Sequence, residues 1–249
     1  MPRSDGTDEM TNGPALSRPP ADRGYAICTS GRSGSNLLCQ YLSSTGLLGH
    51  PLEYFNGAGR RILGYPDFPD EPEKQIDCVL TIGATANGIY AIKIFPAQFD
   101  LIAKFIRWTE RLPNLKFVLL HRRDLLGQAI SALRAAQTNQ WQASFAAEGT
   151  AIYDAGQIHA RLRAAAQDYA RWNVFFARNG IEPTVIEYED LVAEPQACVD
   201  RVARLFGLQG KARIKAETVD LTIQRDAMTE AWKARFLGEH RNLDELDLL

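Results

Sequence analysis

The six residues Gly31-Arg32-Ser33-Gly34-Ser35-Asn36 follow an apolar run, Tyr25 to Cys28, and the pair Thr29-Ser30. This is the pattern of a strand end, a turn of small residues and a helix start. Such a junction can hold an anion, because successive backbone N–H groups at a helix N-terminus form a positive concavity. Gly31 and Gly34 let the backbone approach a ligand, and Arg32 adds a fixed positive charge. Aligning Gly34 with the second glycine of the triphosphate loop G-x-x-x-x-G-K-[ST] puts Thr29 at the first glycine, Ser35 at the lysine and Asn36 at the magnesium-binding hydroxyl. The cradle and the cation remain, but the metal hydroxyl is missing. That suits an anionic ligand handled without magnesium, and a nucleotide phosphosulfate is the leading candidate. The plain alternative is a Ser/Gly-rich turn that only joins a strand to a helix.

A second group of residues points the same way. Lys116 to Leu120 reads as a strand ended by His121-Arg122-Arg123, with Asp124 placed to cap a helix carrying Gln128, Ser131 and Arg134. Arg123 and Ser131 are eight residues apart, so a guanidinium fork just outside the helix and a hydroxyl two turns in can reach one phosphate. Read alone, the segment is equally a solvated Arg-Arg-Asp cap with an incidental serine.

Alternating strand-like and helix-like segments must position these groups. Tyr25 to Ser30, Ile89 to Phe95, Lys116 to His121 and Thr184 to Tyr188 are short β-branched or aromatic runs suited to buried parallel strands. Helical patterns cover about 35–45, 97–111, 125–136, 156–179 and 195–206, the fourth placing Ile158, Leu162, Ala165, Tyr169 and Trp172 on one stripe. The order predicts an α/β fold: a P-loop-like, doubly wound parallel sheet flanked by helices, with ligands outside the carboxyl ends of the strands. The proline-punctuated stretch 47–82 reads as a long, irregular insertion after the first helix, lying over the sheet edge.

Composition bounds the rest. The 249 residues are 45% hydrophobic and 23% charged with a net charge of −2, which predicts one domain over 24–249 and gives no electrostatic case for nucleic acid. Residues 1–23 read as a disordered tail without a secretory pattern. No apolar stretch reaches the roughly 18 residues of a membrane span. The four cysteines and four histidines are scattered, without disulfide or metal spacing, so reduced thiols in the cytoplasm and no metal are the expectation.

The motifs resemble those of a known family. Thr29 to Asn36 looks like the loop of sulfotransferases that use 3′-phosphoadenosine 5′-phosphosulfate, and Arg123 with Ser131 resembles their 3′-phosphate site. More narrowly, Gly49-His-Pro-Leu-Glu-Tyr-Phe55, Arg122 to Ser131, Gln137-Thr-Asn-Gln-Trp141 and Tyr188-Glu-Asp-Leu191 resemble a bacterial branch typified by trehalose 2-sulfotransferases, over about 25–237. The resemblance implies Gly31, Arg32, Ser33, Gly34, Ser35, Asn36, Arg123 and Ser131 as donor-binding residues and Glu53 as general base. Many cytosolic sulfotransferases carry Lys-x-His at a central strand end, with the histidine as base; here the run is Lys93-Ile94-Phe95, so the base must lie elsewhere.

Glu53, flanked by Leu52, Tyr54 and Phe55, sits in an apolar setting expected to raise its pKa, with His50 as a competing base. Lys93 and Arg32 would neutralise charge on the transferring group. Tyr54, Phe55, Phe95, Gln98, Asn139, Gln140 and Trp141 combine flat faces with amides and are candidates for binding a sugar. Trp232 and Arg225 are candidates for covering the nucleotide. The expected activity is sulfuryl transfer from the phosphosulfate nucleotide to a hydroxyl of a sugar or glycolipid, without metal; a homodimer is compatible with the sequence. A divergent P-loop kinase and a non-catalytic nucleotide-binding module are the alternatives.

Overall fold

The computed structural model describes residues 21–141, 147–219 and 227–246. A four-stranded, all-parallel sheet in the order β2-β1-β3-β4 is built from β1 (Arg23–Cys28), β2 (Ile89–Ile94), β3 (Leu115–His121) and β4 (Thr184–Glu187). The chain starts in the middle of the sheet and crosses to one side for β2 and to the other for β3. The carboxyl ends of β1 and β3 therefore mark the point where connections diverge, the position at which such sheets bind ligands.

The strands are near-continuous apolar runs because helices cover both faces. On one face Tyr25, Ile27, Ile89, Val118, Leu120 and Ile186 pack against α1 (Ser35–Ser44) and α9 (Pro195–Arg204). On the other, Ala26, Tyr90, Ile92 and Ile94 pack with Trp108, Trp172 and Phe176, supplied by α5 (Trp108–Arg111) and α7 (Ala155–Arg178). A third cluster of Ala129, Ile130, Leu133, Ile158 and Phe236 ties α6 (Leu125–Thr138) to α7 and to α10 (Ala227–His240). Asp124 caps α6 as expected, its carboxylate accepting from the Gly127 N–H at 2.9 Å.

Three expectations need correction. The stretch 47–82 is less irregular than its prolines suggest: it contains α2 (Gly57–Ile62) and α3 (Pro72–Thr81), and Pro72 opens α3 at its first turn, where a missing N–H costs nothing. The expected single helix over 97–111 is two, α4 (Pro96–Ala103) and α5. Ala21 is buried and Arg23 is already in β1, so the ordered fold begins before residue 24. Residues 1–20 of the expected tail, and Arg225, lie outside the described residues.

Within the turn after β1, Gly34 and Arg32 adopt positive φ, +88° and +61°, whereas Gly31 does not. A Cβ on Gly34 would lie 2.3 Å from Cδ2 of Tyr188, at the start of α8 (Tyr188–Ala193). Gly34→Ala should therefore destabilise the protein by more than the ~1–2 kcal/mol of the left-handed backbone alone. Denaturant unfolding measures this; Gly31→Ala, with open space around its Cβ, should be close to neutral for stability.

Candidate active site

The turn from Thr29 to Gly34 is held from behind by its carbonyls. Trp172 Nε1 donates to the Thr29 carbonyl at 2.9 Å, Gln128 Nε2 to that of Gly31 at 2.7 Å, and an Arg122 guanidinium nitrogen to that of Arg32 at 3.2 Å. Thr29 Oγ1 also donates to the Leu120 carbonyl, 2.9 Å away, and lies 2.7 Å from the buried Ser33 hydroxyl. The Thr29 N–H donates to the Ile94 carbonyl at 3.3 Å, so the turn is tied to β2 as well. It runs into α1, whose Gly34 N-cap offers no side chain to its first amides.

Lys93, at the end of β2, joins the turn to the insertion. Its ammonium donates to Asn36 Oδ1 at 2.6 Å and pairs with Glu53 Oε1 at 2.8 Å, and its side chain is only 6% exposed. Glu53 is placed by backbone: Leu52 bridges to Ile92 in parallel, and the Lys93 N–H donates to the Leu52 carbonyl at 2.9 Å, so the insertion adds a two-residue extension to the edge of β2. Asn56 Nδ2 and Gln98 Nε2 each donate to Glu53 Oε2 at 3.1 Å.

Burial pushes the Glu53 carboxyl up, but the Lys93 charge and hydrogen bond, with the amides of Asn56 and Gln98, outweigh it and hold the group below the usual carboxylate range. The expectation of a raised pKa is thus overturned. An apolar sequence neighbourhood did not reveal the buried cation from β2.

Several candidates for acceptor contact have other occupations. Tyr54 is fully buried, its hydroxyl donating to the His50 carbonyl at 2.9 Å, and Phe55 is packed edge-on against Trp108. Both anchor Glu53 from the core. Gln98 is committed to Glu53 and to the Phe95 N–H. Phe95 lies with its ring centroid 5.5 Å from Lys93 Nζ. Trp141 keeps an exposed ring, while its carbonyl accepts from Arg32 at 2.6 Å, and Asn139 lies at the end of α6 in the left-handed region. Trp232 packs edge-on against Tyr153.

The second group is arranged differently from its spacing. Ser131 receives the Arg32 Nε hydrogen bond at 3.0 Å, while Arg123 points to the surface and pairs with Glu189 and Asp190. The arginine turned inward is Arg122, 8% exposed, its guanidinium 4.7 Å from the Tyr188 ring centroid and its Nε buried without a partner. Burial and the charges of Arg122 and Arg134 lower the pKa of Arg32. Three guanidinium groups crowded in this way favour an anion between them. The sequence signal for Arg122 was the Arg-Arg pair itself, but nothing in it told which member faces in.

Together these groups form one polar edge: the turn after β1, a cluster of arginines on one side, and a lysine-carboxylate pair on the other. A model of the Stf0 sulphotransferase family matches residues 24–239. The chain belongs to this family. It is 28% identical to a trehalose 2-sulfotransferase of Mycobacterium tuberculosis over 88% of this chain and 96% of that one, and 25% identical to that of Mycolicibacterium smegmatis over 85% and 93%. A sulfotransferase structure from Alicyclobacillus acidocaldarius covers 88% of this chain and 93% of its own, at 15% identity and a TM-score of 0.48. Among the described residues no helix is long and apolar enough to cross a membrane.

Lys93→Met should unmask the desolvation of Glu53 and raise its pKa. A folded-state pKa below the usual carboxylate value means the charged form is favoured above it and lost as pH falls through it. If Glu53 must be ionised for activity, the acid limb of the kcat/KM profile should lie below the ordinary carboxylate range in the wild type and shift to higher pH in Lys93→Met. An unchanged acid limb in a folded variant would detach that limb from Glu53.

Proposed function

We propose that the protein transfers a sulfuryl group from 3′-phosphoadenosine 5′-phosphosulfate to a hydroxyl of a carbohydrate or glycolipid acceptor, with Glu53 as general base. The observation that carries this reading is the Asn36-Lys93-Glu53 chain, which sets a carboxylate and a cation beside the anion-binding turn. The names of the mycobacterial relatives support a sugar acceptor, trehalose among the candidates. The four free cysteines suit a reducing cytoplasm.

The nucleotide supplies the activated sulfuryl group. The amides of the turn, from Gly31 through Ser33, Gly34, Ser35 and Asn36, would hold the 5′-phosphosulfate, and Lys93 would neutralise charge on the transferring oxygens or the leaving phosphate. Arg122 and Ser131 would hold the 3′-phosphate, with Arg32 between the two phosphates; the partnerless Nε of Arg122 fits an additional acceptor there. Arg123, read from the sequence for this role, pairs at the surface with Glu189 and Asp190, while Arg122 meets the single carboxylate of Asp124 at 3.5 Å. Glu53 would take the proton of the attacking hydroxyl. Phe95, its ring centroid 5.5 Å from Lys93 Nζ, would flank the acceptor on this side.

Two measurements test these assignments. In calorimetry, Arg122→Ala should weaken 3′-phosphoadenosine 5′-phosphate by about tenfold to a hundredfold and adenosine 5′-phosphate much less, because charge-assisted hydrogen bonds are lost only to the first ligand. Arg123→Ala should change neither; the reverse pattern returns the 3′-phosphate to Arg123. In kinetics with a labelled donor and a panel of sugars, Glu53→Gln should keep donor-product affinity but lose turnover by about 10²–10⁴-fold. Near-normal turnover in Glu53→Gln with a large loss in His50→Ala would move the base to His50.

A further inference from the structure

A recess of about 170 Å³ opens between α6 and α7, walled by Ser30 and Gly31 of the anion-binding turn, Gln128, the methyl groups of Ala129, Ala132, Ala164 and Ala165, and the side chains of Arg161 and Asp168. Its construction follows from the helix pattern. Arg161 and Asp168 are two turns apart on α7 and so lie on one face, and alanines between them and on the facing side of α6 keep the helices from filling the gap.

Gln128 is spent on the Gly31 carbonyl and the Tyr169 hydroxyl, but Arg161 and Asp168 keep hydrogen-bonding capacity. Arg161 has a buried Nε without a hydrogen-bond partner. Asp168 accepts from the Ser30 hydroxyl with Oδ2 at 2.9 Å, leaving Oδ1 for another donor, and burial raises its pKa. The recess does not belong to the guanidinium cluster: Arg122 stacks on Tyr188 and Arg134 donates to Thr229 on α10, whereas Arg161 and Asp168 both project from α7. The turn is the wall common to both.

We propose that this recess is a subsite for a neutral polyhydroxyl ring, part of the acceptor, with Arg161 donating to its oxygens and Asp168 accepting from its hydroxyls. The inference rests on the carbohydrate reading given above. Its volume is below the ~300 Å³ at which pockets begin to hold drug-sized ligands, which suits a single ring. A recess that carries both a carboxyl and a guanidinium on its wall favours a neutral ligand that both donates and accepts, since a carboxylate or phosphate on the acceptor would meet Asp168. The alanine floor suits the C–H face of a sugar. Placed against Ser30 and Gly31, a ring held here is next to the turn from which the sulfuryl group is transferred, which makes Arg161 and Asp168 specificity-determining residues.

The test uses the full chain and three variants: Arg161→Met, which removes the donors but keeps the stem; Asp168→Asn, which retains a partner for Ser30; and Ala164→Leu, which fills the recess without touching a polar group. Each should raise the acceptor KM by about tenfold or more, with kcat changed far less and 3′-phosphoadenosine 5′-phosphate affinity unchanged. Unchanged acceptor KM in Arg161→Met and Ala164→Leu would overturn the subsite while leaving sulfuryl transfer intact. Saturation-transfer NMR with trehalose and glucose reads the recess without turnover. Sugar signals in the wild type that vanish in Arg161→Met and Ala164→Leu support the subsite even if no sugar is sulfated, a result that would sink the functional reading alone. Equal signals in all proteins, or none in the wild type, overturn the subsite.

Discussion

The buried ammonium of Lys93 is the constraint on which the site depends. A lysine so fully removed from water is costly unless its charge and donors are satisfied, and the structure satisfies it from two directions, with the Asn36 amide oxygen from α1 and the Glu53 carboxylate from the insertion. The consequence is geometric. The start of α1, the end of β2 and the segment 52–53 cannot move independently without leaving a buried charge unpaired. The same requirement orders the neighbours, since Asn56 and Gln98 fill the remaining acceptor capacity of the carboxylate. Such a pair is weak evidence for added stability, but breaking one partner leaves the other exposed to the full cost of desolvation.

The turn between β1 and α1 is stabilised by a complementary device. Its carbonyls are drawn back by side chains from three different helices or strand ends: Trp172 on α7, Gln128 on α6 and Arg122 after β3. Gln128 is itself fixed by the Tyr169 hydroxyl at 3.2 Å. A flexible turn would have to lose conformational freedom each time it bound a ligand; this one has its backbone held in advance by its carbonyls. The left-handed conformation of Arg32 belongs to the same arrangement, because it turns the chain between the retained carbonyls of Gly31 and Arg32. The left-handed residue here is not a glycine but one whose guanidinium donates to the Ser131 hydroxyl and the Trp141 carbonyl.

The elements were legible in the sequence where local pattern and burial agree. Parallel strands buried on both faces appear as unbroken apolar runs, and the small-residue turn between β1 and α1 is distinctive, so the sheet and the cradle could be read directly. Side-chain direction at strand ends could not. His121, Arg122 and Arg123 leave β3 together, and which arginine turns inward is decided by Glu189 and Asp190, residues that are distant in sequence and attract Arg123 to the surface. Tyr54 and Phe55 read as binding faces because they flank a candidate base; the aromatic core beneath the insertion claims both. Arg161 and Asp168 gave no signal at all, since charged residues on a long amphipathic helix ordinarily face solvent. Only the packing of α6 against α7 sets them on the wall of one recess.

The lowered pKa of Glu53 bears on how this edge could work. A carboxylate held by a lysine is fully ionised at neutral pH, yet the interaction that keeps it charged also weakens it as a proton acceptor. The conflict is removed if Lys93 is shared. Its ammonium has three donors, two of them directed to Asn36 and Glu53, and an anion seated on the turn beside Asn36 competes for the same charge. Were Lys93 to turn its field toward that anion, Glu53 would lose its principal stabilising partner while remaining buried, and desolvation, the largest influence on it, would then act to raise its proton affinity. Under the proposed function, donor occupancy and basicity of the carboxylate would thus be coupled through a single side chain, the base strengthening when there is a sulfuryl group to transfer.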